Sequence, residues 1–443
     1  MELMIPPTVY PPREDTTQMD RVLAELGPGD GRYLLEIGCG SGAVTISAAL
    51  RGWKVSACDV NPLAIAATRG NAASHGLHLD TEIREGGPGD VSHWHPEYGV
   101  DVIAWNLPYL EPQQGDSLGP MEDSALIGRG EADLLLNAIT ETPMLLNQGG
   151  IILMLHSSNE IGHQIGRDWR KAGWATRNVS QISTGDERLT VVACWRPFET
   201  AEIHRLKSCT STNDELLKIA TEVQGTLLST EEQVSGRGYA GRQWFNSPEG
   251  FMGSWLLSNK SIERGPEILQ LASTVAVLDT FSILLNHGLP SHSWIHGSSL
   301  EVSGLRVKWP NDIWLRTPTS LGKMCGVLVE GRTQGDDVRI ILGVGLNRTS
   351  VSEFADSIGW DQIFSGDVEE ILPLLHASIA SSLEIHPLVP DVQEVDVLNS
   401  IYATMRCTLS EGEPVAFGLD GKGGLQTHND IIRSTGEIEW KWH

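Results

Sequence analysis

A glycine-rich turn near the N-terminus could bind a ligand through its backbone. Residues 34–42 read LLEIGCGSG and precede a stretch with helical spacing. Glycines at a strand-to-helix turn let the backbone approach a ligand closely, beside the positive end of the helix. Dinucleotide sites share this pattern, so the turn by itself leaves the ligand open.

Two further features narrow the chemistry at this turn. Asp59 ends the second predicted strand, where its carboxylate could accept both hydroxyls of a ribose. Residues 106–109 (NLPY) follow a later strand, at the sheet edge where ligands bind, and the Asn106 amide could hold a planar amide or amino group. Because an amide nitrogen is a poor nucleophile, orientation against an electrophilic methyl would be the main catalytic contribution. The alternative, a tight loop closed by an asparagine and a proline, is disfavoured by the combination with the turn and Asp59.

A second group of residues could bind phosphate. Residues 232–244 (EQVSGRGYAGRQW) hold three glycines and two arginines, a basic loop that could order around a phosphate. A solvated turn is the alternative interpretation of this loop alone. It is accompanied by STN at 211–213, KWPND at 308–312, GKMCGVLVE at 322–330 and GVGLN at 343–347.

The elements that must position these residues form two blocks and a short tail. Up to about residue 195, apolar strands alternate with helical stretches, which implies a mostly parallel sheet with helices on both faces and a closing hairpin at 183–186. The pattern restarts near residue 200 and includes long helices over 266–287 and 368–384. The predicted strands are 33–37, 55–58, 100–105, 150–155, 189–195, 225–230, 252–257, 307–309, 324–330 and 338–343. From about residue 395, short strands in a glycine-rich segment indicate a small barrel.

The composition limits the classes of function. The formal net charge of −25 disfavours a protein that coats DNA. We see no secretory signal and no apolar run of the roughly 20 residues that a membrane span needs. The six cysteines are scattered, and His93 and His95 have no evident third ligand, so we predict no metal site. We therefore expect a cytoplasmic protein with neither DNA nor a membrane as partner.

The first block resembles a methyltransferase family. YPPREDT at 10–16, the glycine turn, DVNP at 59–62 and NLPY at 106–109 occur in one order over roughly residues 5–197. Together they resemble the HemK-type glutamine N5-methyltransferases, in the archaeal and eukaryotic branch that modifies the GGQ glutamine of class-1 release factors. The resemblance implies a Rossmann-like class I methyltransferase fold and a small zinc-binding activator subunit as partner. It implies S-adenosylmethionine contacts at Thr16, Glu36, Gly38, Gly40, Asp59 and Asp90, with Asn106, Pro108 and Tyr109 at the substrate glutamine.

This block departs from the family pattern at two places. Leu107 stands where the family usually has a proline, and YPP at 10–12 replaces a Tyr-Glu-Pro opening. Two alternatives stay open. One is an adenine N6-methyltransferase of nucleic acid, which the acidic charge disfavours, and the other is a non-catalytic binding module.

The second block and the tail resemble biotin protein ligases, over about residues 203–443. The resemblance implies an α+β catalytic domain and a small C-terminal SH3-like β-barrel, so that we predict domains at 1–198, 203–392 and 395–443. It implies that the biotin carboxylate attacks the ATP α-phosphate, with Mg²⁺, and that a lysine of a biotin carboxyl-carrier domain then attacks the anhydride. Lys308 and Arg237 would be catalytic. The biotin and ATP contacts would be Ser211, Thr212, Asn213, Gln233, Gly236, Arg237, Gly238, Arg242, Trp244, Lys308, Asn311, Gly326 and Asn347.

One departure concerns the basic loop. Many relatives carry an arginine where Tyr239 stands, and that arginine helps to retain the reactive adenylate, so we hypothesise a leakier intermediate here. Lipoate ligases share the fold, but the arginine-led triple-glycine motif of those enzymes is absent from the sequence. The sequence therefore predicts a bifunctional enzyme, a glutamine methyltransferase followed by a biotin ligase.

Overall fold

The computed structural model describes two compact units. The described residues are 1–90, 93–107, 130–156, 160–185, 187–238, 241–285, 304–334, 337–405, 407–409, 418–426, 431–432 and 440–442. The first unit comprises Met1–Trp169, Thr176–Trp195 and Pro387–Pro390, and the second comprises Arg170–Ala175, Arg196–His386 and Asp391–His443. Among the described residues the architecture is mixed α/β, as predicted, whereas the three domain boundaries stay predictions.

The first unit is built on a seven-stranded sheet. Its strands are β1 Tyr33–Ile37, β2 Lys54–Asp59, β3 Ile83–Glu85, β4 Val100–Asn106, β5 Leu146–His156, β6 Ala175–Thr184 and β7 Glu187–Trp195. The helices of this part of the chain are α1 Glu14–Glu25, α2 Ala43–Leu50, α3 Pro62–Ser74, α4 Glu131–Glu141, a 3-10 turn Pro143–Leu145 and α5 Glu160–Lys171.

The order of strands in this sheet is β3-β2-β1-β4-β5-β7-β6. The first five strands run parallel, and β7 runs antiparallel to β5, so the predicted closing hairpin lies at the sheet edge. The order reverses between β1 and β4, and ligands of such sheets bind at the carboxyl ends of the strands beside this reversal. Because β1, β2 and β4 end there, the sheet gathers the predicted site residues at one edge.

The second unit contains another seven-stranded sheet, in the order β13-β14-β15-β16-β12-β9-β8. Its strands are β8 Ile203–Cys209, β9 Leu227–Gln233, β12 Phe251–Leu257, β13 Leu305–Lys308, β14 Asp312–Arg316, β15 Leu321–Gln334 and β16 Asp337–Leu346, with a two-stranded ribbon of β10 Gly236–Arg237 and β11 Gln243–Trp244. The described helices are α6 Thr212–Lys218, α7 Pro266–Leu284, α8 Val368–Leu383, α9 Glu394–Thr404 and the 3-10 turns Asn259–Arg264 and Trp360–Gln362. The neighbouring pairs are antiparallel except β8 with β9.

Each strand predicted from the sequence has a counterpart, but four strands of the two large sheets were missed. Two of them, β3 and β6, lie at the edges of the first sheet, and β8 lies at an edge of the second. Edge strands bury little apolar surface and therefore lack the hydrophobic pattern that reveals a strand. The fourth, β14, begins at Asp312, the last residue of the KWPND segment, so the sequence does not separate this strand from the loop.

Helix α7 forms the core of the second unit. It is the one described helix that is long and apolar enough to cross a membrane, and 89% of its apolar window is buried in the fold. Its burial marks it as a core helix.

The C-terminal part contains only short described strands. β17 Cys407–Leu409 pairs with β21 Trp440–Trp442, and β18 Gly418–Leu419, β19 Leu425–Gln426 and β20 Ile431–Ile432 form a three-stranded sheet. The predicted barrel therefore stays a prediction.

Candidate functional sites

The glycine turn after β1 has the backbone of a ligand-binding loop. Gly38, Gly40 and Gly42 have φ angles of 71°, 55° and 84°, in the left-handed region that favours glycine. A Cβ at Gly42 would lie 2.8 Å from the Thr68 Cγ2 atom, so a larger residue would displace α3. The amides of Gly38 and Cys39 both donate to the Cys58 carbonyl, which fixes the turn against the end of β2.

Asp59 holds this turn while keeping acceptor capacity for a ligand. Its Oδ2 accepts from the Gly40 amide at 2.9 Å, and its Oδ1 accepts from the Asn61 amide at 2.9 Å. Each carboxylate oxygen has a second lone pair, so the hydroxyls of a ribose could still bind there. Burial raises the pKa of the Asp59 carboxyl above its usual value. The residues present therefore fit the predicted adenosyl ligand.

Glu36 is a buried carboxyl at the same edge. It accepts a hydrogen bond from Thr45, and burial raises the pKa of Glu36 to about 8. Among the described residues, the charged groups Asp59 and Asp20 raise this pKa further. A ligand with a positive charge nearby would favour the ionised carboxylate, which suits a sulfonium or an ammonium group.

The Asn106 side chain at the end of β4 is held in one orientation. Its Nδ2 donates to Asp15 Oδ2 at 2.9 Å, and the Tyr10 hydroxyl donates to the same oxygen at 3.1 Å. The Asn106 Oδ1 atom is buried and has no hydrogen-bond partner among the described residues. An acceptor without a partner is costly in a buried site, so this oxygen is available for the N–H of a substrate amide.

Asp15 is a residue that our reading of the sequence missed. It is 2% exposed, and its Oδ1 also accepts from the Thr16 amide at 2.6 Å and from the Thr16 hydroxyl at 3.1 Å. The signal was present, because Asp15 belongs to the YPPREDT motif from which only Thr16 was selected.

The other predicted cofactor contacts of the first unit are Thr16 and Asp90. Thr16 lies beside Asp15, at the start of α1. Asp90 is exposed in the loop after β3, where its Oδ2 accepts from the Gly87 amide at 3.1 Å. Leu107 is buried and donates its amide to Leu155. Pro108 and Tyr109 lie outside the described residues.

The second unit contains a cavity between β15, β16 and the segments that follow β8 and β9. It encloses about 480 Å³ including its open mouth. Its lining includes nine predicted residues, namely Ser211, Thr212, Asn213, Gln233, Arg237, Gly238, Trp244, Asn311 and Gly326. The lining residues that we did not predict are Met252, Lys323, Val327, Leu328, Gly343, Val344 and Gly345.

The Trp244 ring forms one wall of this cavity. A Cβ at Gly326 or Gly345 would lie 2.8 Å or 2.5 Å from ring atoms of Trp244, so both glycines are needed for the ring to pack. Its Nε1–H is buried and has no partner among the described residues, so it is a free donor at the wall.

A polar network fixes the lining residues Thr212, Asn213 and Gln233. Gln233 Oε1 accepts from the Thr212 amide at 2.9 Å, and Ser254 Oγ lies 2.5 Å from Asn213 Oδ1. Asn213 Nδ2 in turn donates to Glu330 Oε2 at 2.6 Å. These bonds fix the amide and hydroxyl groups that face the cavity, which suits a ligand with a polar ring system.

Arg237 lines the cavity but is engaged with carboxylates. Its two terminal nitrogens donate to Asp214 at 2.7 Å each, and Glu330 lies 3.4 Å away. This pairing lowers the pKa of Asp214 and raises that of Arg237. A phosphate would have to compete with these carboxylates for the guanidinium.

Among the described residues, the lysine that lines the cavity is Lys323, and the catalytic role of Lys308 stays a prediction. Lys323 Nζ lies 2.7 Å from Asp312 Oδ1 and 5.3 Å from the centre of the Trp244 ring. Lys308 does not line the cavity, and its ammonium lies 5.1 Å from the centre of the Trp314 ring. Lys308 is paired across the strands with Asp312, the residue that Lys323 contacts, so both lysines lie beside the same aspartate.

Three further predicted residues are not among the residues that line the cavity. Gly236 packs tightly, since a Cβ there would lie 2.5 Å from Gln233 Nε2. Arg242 is exposed. Asn347 is 2% exposed, and its Oδ1 is buried without a partner in the described part of the chain. Tyr239 lies outside the described residues.

Comparisons with known proteins match the two units separately. A model of the biotin/lipoate A/B protein ligase family matches residues 203–347, and a model of ribosomal protein L11 methyltransferase matches residues 14–107. The second match ends at Leu107, so it covers the part that carries the glycine turn, Asp59 and Asn106.

Three curated relatives each match one half of the chain. The chain is 26% identical over 201 residues to a protein of Methanocaldococcus jannaschii assigned as a protein N5-glutamine methyltransferase, covering 44% of this chain and 96% of the relative. It is 30% identical over 174 residues to a human release factor glutamine methyltransferase, covering 34% and 50%. It is 29% identical over 237 residues to the bifunctional ligase/repressor of Escherichia coli, covering 50% and 68%.

The matches agree with the two sites. Glutamine methyltransferases match the half that presents the free oxygen of Asn106, and biotin ligases match the half that contains the cavity. The chain is a fusion of a protein-glutamine methyltransferase half with a biotin protein ligase half.

Proposed function

We propose that the first half methylates the side-chain nitrogen of a protein glutamine, and that this glutamine belongs to the GGQ motif of a release factor. The observation that carries the proposal is the buried Asn106 Oδ1, which has no partner among the described residues and is oriented through Asp15. The names of two relatives, each a release factor glutamine methyltransferase, support the choice of substrate.

The geometry gives each residue a part in this reaction. Asn106 accepts a hydrogen bond from the glutamine amide and aims the nitrogen lone pair at the methyl group, so that orientation lowers the barrier. S-adenosylmethionine supplies the methyl when bound, and the glycine turn and Asp59 would hold its adenosyl part. In the reaction the nitrogen would bond to the methyl carbon as the carbon–sulfur bond breaks, S-adenosylhomocysteine would leave, and the proton of the nitrogen would pass to water.

The experiment for this half maps the methyl directly. Purified protein is incubated with S-adenosylmethionine and a release factor, with and without the proposed zinc-binding activator subunit, and peptides are analysed by mass spectrometry. We expect a methyl on the GGQ glutamine that is lost in Asn106→Ala while cofactor binding persists. Cofactor binding without any methyl transfer by the wild-type chain would favour the binding-module alternative.

For the second half we propose ATP-dependent biotinylation of a lysine on a biotin carboxyl-carrier domain. The cavity with its tryptophan wall, fixed polar network and lining lysine supports this activity. The biotin carboxylate forms a bond to the α-phosphorus as pyrophosphate leaves. The carrier lysine then attacks the anhydride carbonyl, releasing AMP and a proton.

Lys323 takes the charge-neutralising role in this mechanism. An ammonium in the cavity offsets the negative charges that approach each other when a carboxylate attacks a phosphate. Its pairing with Asp312 holds it in place. Mg²⁺ would accompany ATP, the C-terminal segment would form the SH3-like barrel, and the enzyme would act in the cytoplasm. Transfer of biotin to a carrier domain, detected as a mass increase that requires ATP, tests this half.

A further inference from the structure

One edge of β15 loses its partner strand within the cavity wall. β14 pairs with β15 only as far as Asp312 opposite Gly326, whereas β16 continues along the other edge. Val327 and Leu328, which come next, line the cavity. Buried backbone groups require hydrogen-bond partners, so this edge must find them outside the sheet.

The side chain of Gln270 on α7 supplies these partners. Its Nε2 donates to the Val327 carbonyl at 3.3 Å, and its Oε1 accepts from the Val329 amide at 3.0 Å. Asn311 completes the edge, because its carbonyl accepts from the Val327 amide and its Nδ2 donates to the Val327 carbonyl at 3.0 Å. The carboxamide of Gln270 thus takes the place of a peptide group in a neighbouring strand.

The residues on both sides of this segment contact residues that line the cavity. Gly326 precedes it and packs against Trp244. Glu330 follows it and accepts the hydrogen bond from Asn213. Gln270 itself is 6% exposed and does not line the cavity.

We infer that Gln270 is a positioning residue of the ligase, which sets the β15 wall against which biotin binds. This inference rests on the proposed biotinylation activity. The nucleotide is expected to depend less on this segment, because Lys323 lies in the part of β15 that is already paired with β14. Loss of the Gln270 contacts therefore weakens the binding of biotin selectively.

The test measures biotin-dependent exchange of pyrophosphate into ATP with the full-length chain. Gln270→Leu removes both hydrogen bonds and keeps the size of the side chain. We expect the KM for biotin to rise about tenfold, while the KM for ATP and kcat at saturating biotin change by less than about threefold. Ser273→Ala is the matched control, because Ser273 is buried on the same helix and its hydroxyl donates within that helix, to the Leu269 carbonyl.

A second variant covers the case in which Gln270→Leu does not fold. Gln270→Met is unbranched, removes the same two hydrogen bonds and buries no charge, so we expect the same rise, again confined to the KM for biotin. An equal rise in both KM values, or an unchanged KM for biotin, in a folded variant would overturn the inference. A wild-type chain without biotin-dependent exchange would instead overturn the proposed ligase function and the inference with it.

Discussion

Asn106 and Asp15 are 91 residues apart in the sequence, and their side chains meet at 2.9 Å. The carboxylate accepts only, so it forces the nitrogen of the Asn106 amide towards itself and the oxygen away. The free oxygen is the group that can recognise a substrate amide. A helix at the start of the chain therefore sets the chemistry of a residue at the end of β4.

Replacing Asp15 by asparagine should slow methyl transfer more than it weakens cofactor binding. The new side chain could present its own amide nitrogen to Asn106, which would then lose its fixed orientation. A hydrogen bond to a charged group contributes about 1.5–3 kcal/mol, so we expect kcat to fall roughly 10–100-fold. Single-turnover methylation at saturating S-adenosylmethionine measures this effect. Glu25→Gln, at the exposed end of the same helix, is the control, and full activity in Asp15→Asn would contradict the role.

The buried Glu36 should make the first unit less stable as the pH rises. Its folded pKa of about 8 exceeds the ordinary value of 4.5, so between these values the folded state binds more protons than the unfolded state. The free energy of unfolding therefore falls as the pH rises from about 4.5 to about 8, and it stays constant above pH 8. The total fall is on the order of 3–5 kcal/mol.

Glu36→Gln separates this contribution from the rest of the pH dependence. The neutral side chain cannot ionise, so the difference in unfolding midpoint between variant and wild type should grow between about pH 5 and pH 8. Denaturant unfolding of both proteins at several pH values measures it, with Glu85→Gln as an exposed control. A difference that stays constant across this range would argue against a raised pKa.

Lys323 and Lys308 should differ sharply when each is replaced by methionine. Lys323 is the lysine of the described cavity lining, so Lys323→Met should reduce biotin adenylation by about 10²–10³-fold. Lys308→Met should remain within about threefold of wild type, because this residue lies outside the cavity lining. Pyrophosphate release in the presence of biotin is the measurement. The reverse order of effects would restore Lys308 as the catalytic lysine.

Tyr239→Arg should retain the adenylate better than the wild-type chain. Tyrosine can stack or form a hydrogen bond, but it cannot pair with a phosphate by charge, whereas arginine can. We expect the variant to label an unrelated lysine-rich protein less at equal adenylation rates. Equal labelling by both chains would count against the hypothesis of a leaky intermediate.

The sequence alone predicted a two-part organisation and most of the residues that the structure brings together at the two candidate sites. The glycine turn, Asp59 and NLPY are local patterns, as are STN and the basic loop, and each sits at a strand or helix end that the hydrophobic periodicity predicts. Strands and helices with a strong apolar pattern were therefore predicted well. The edge strands β3, β6 and β8 were not, since their residues carry no such pattern.

The tertiary structure decided which side chains meet. The motifs at 308–312 and 322–330 each contain a lysine, and the resemblance to biotin protein ligases implies the first of them. In the structure Lys323 lines the cavity and Lys308 does not, and the two methionine variants decide which of them is catalytic. The structure also brings together Asp15 with Asn106 and Gln270 with Val329, whose contacts join residues far apart in the chain. The local sequence determines which side chains stand at the ends of the strands and helices. Only the packing of distant segments determines the distances between these side chains and their burial, and these two quantities set their chemistry.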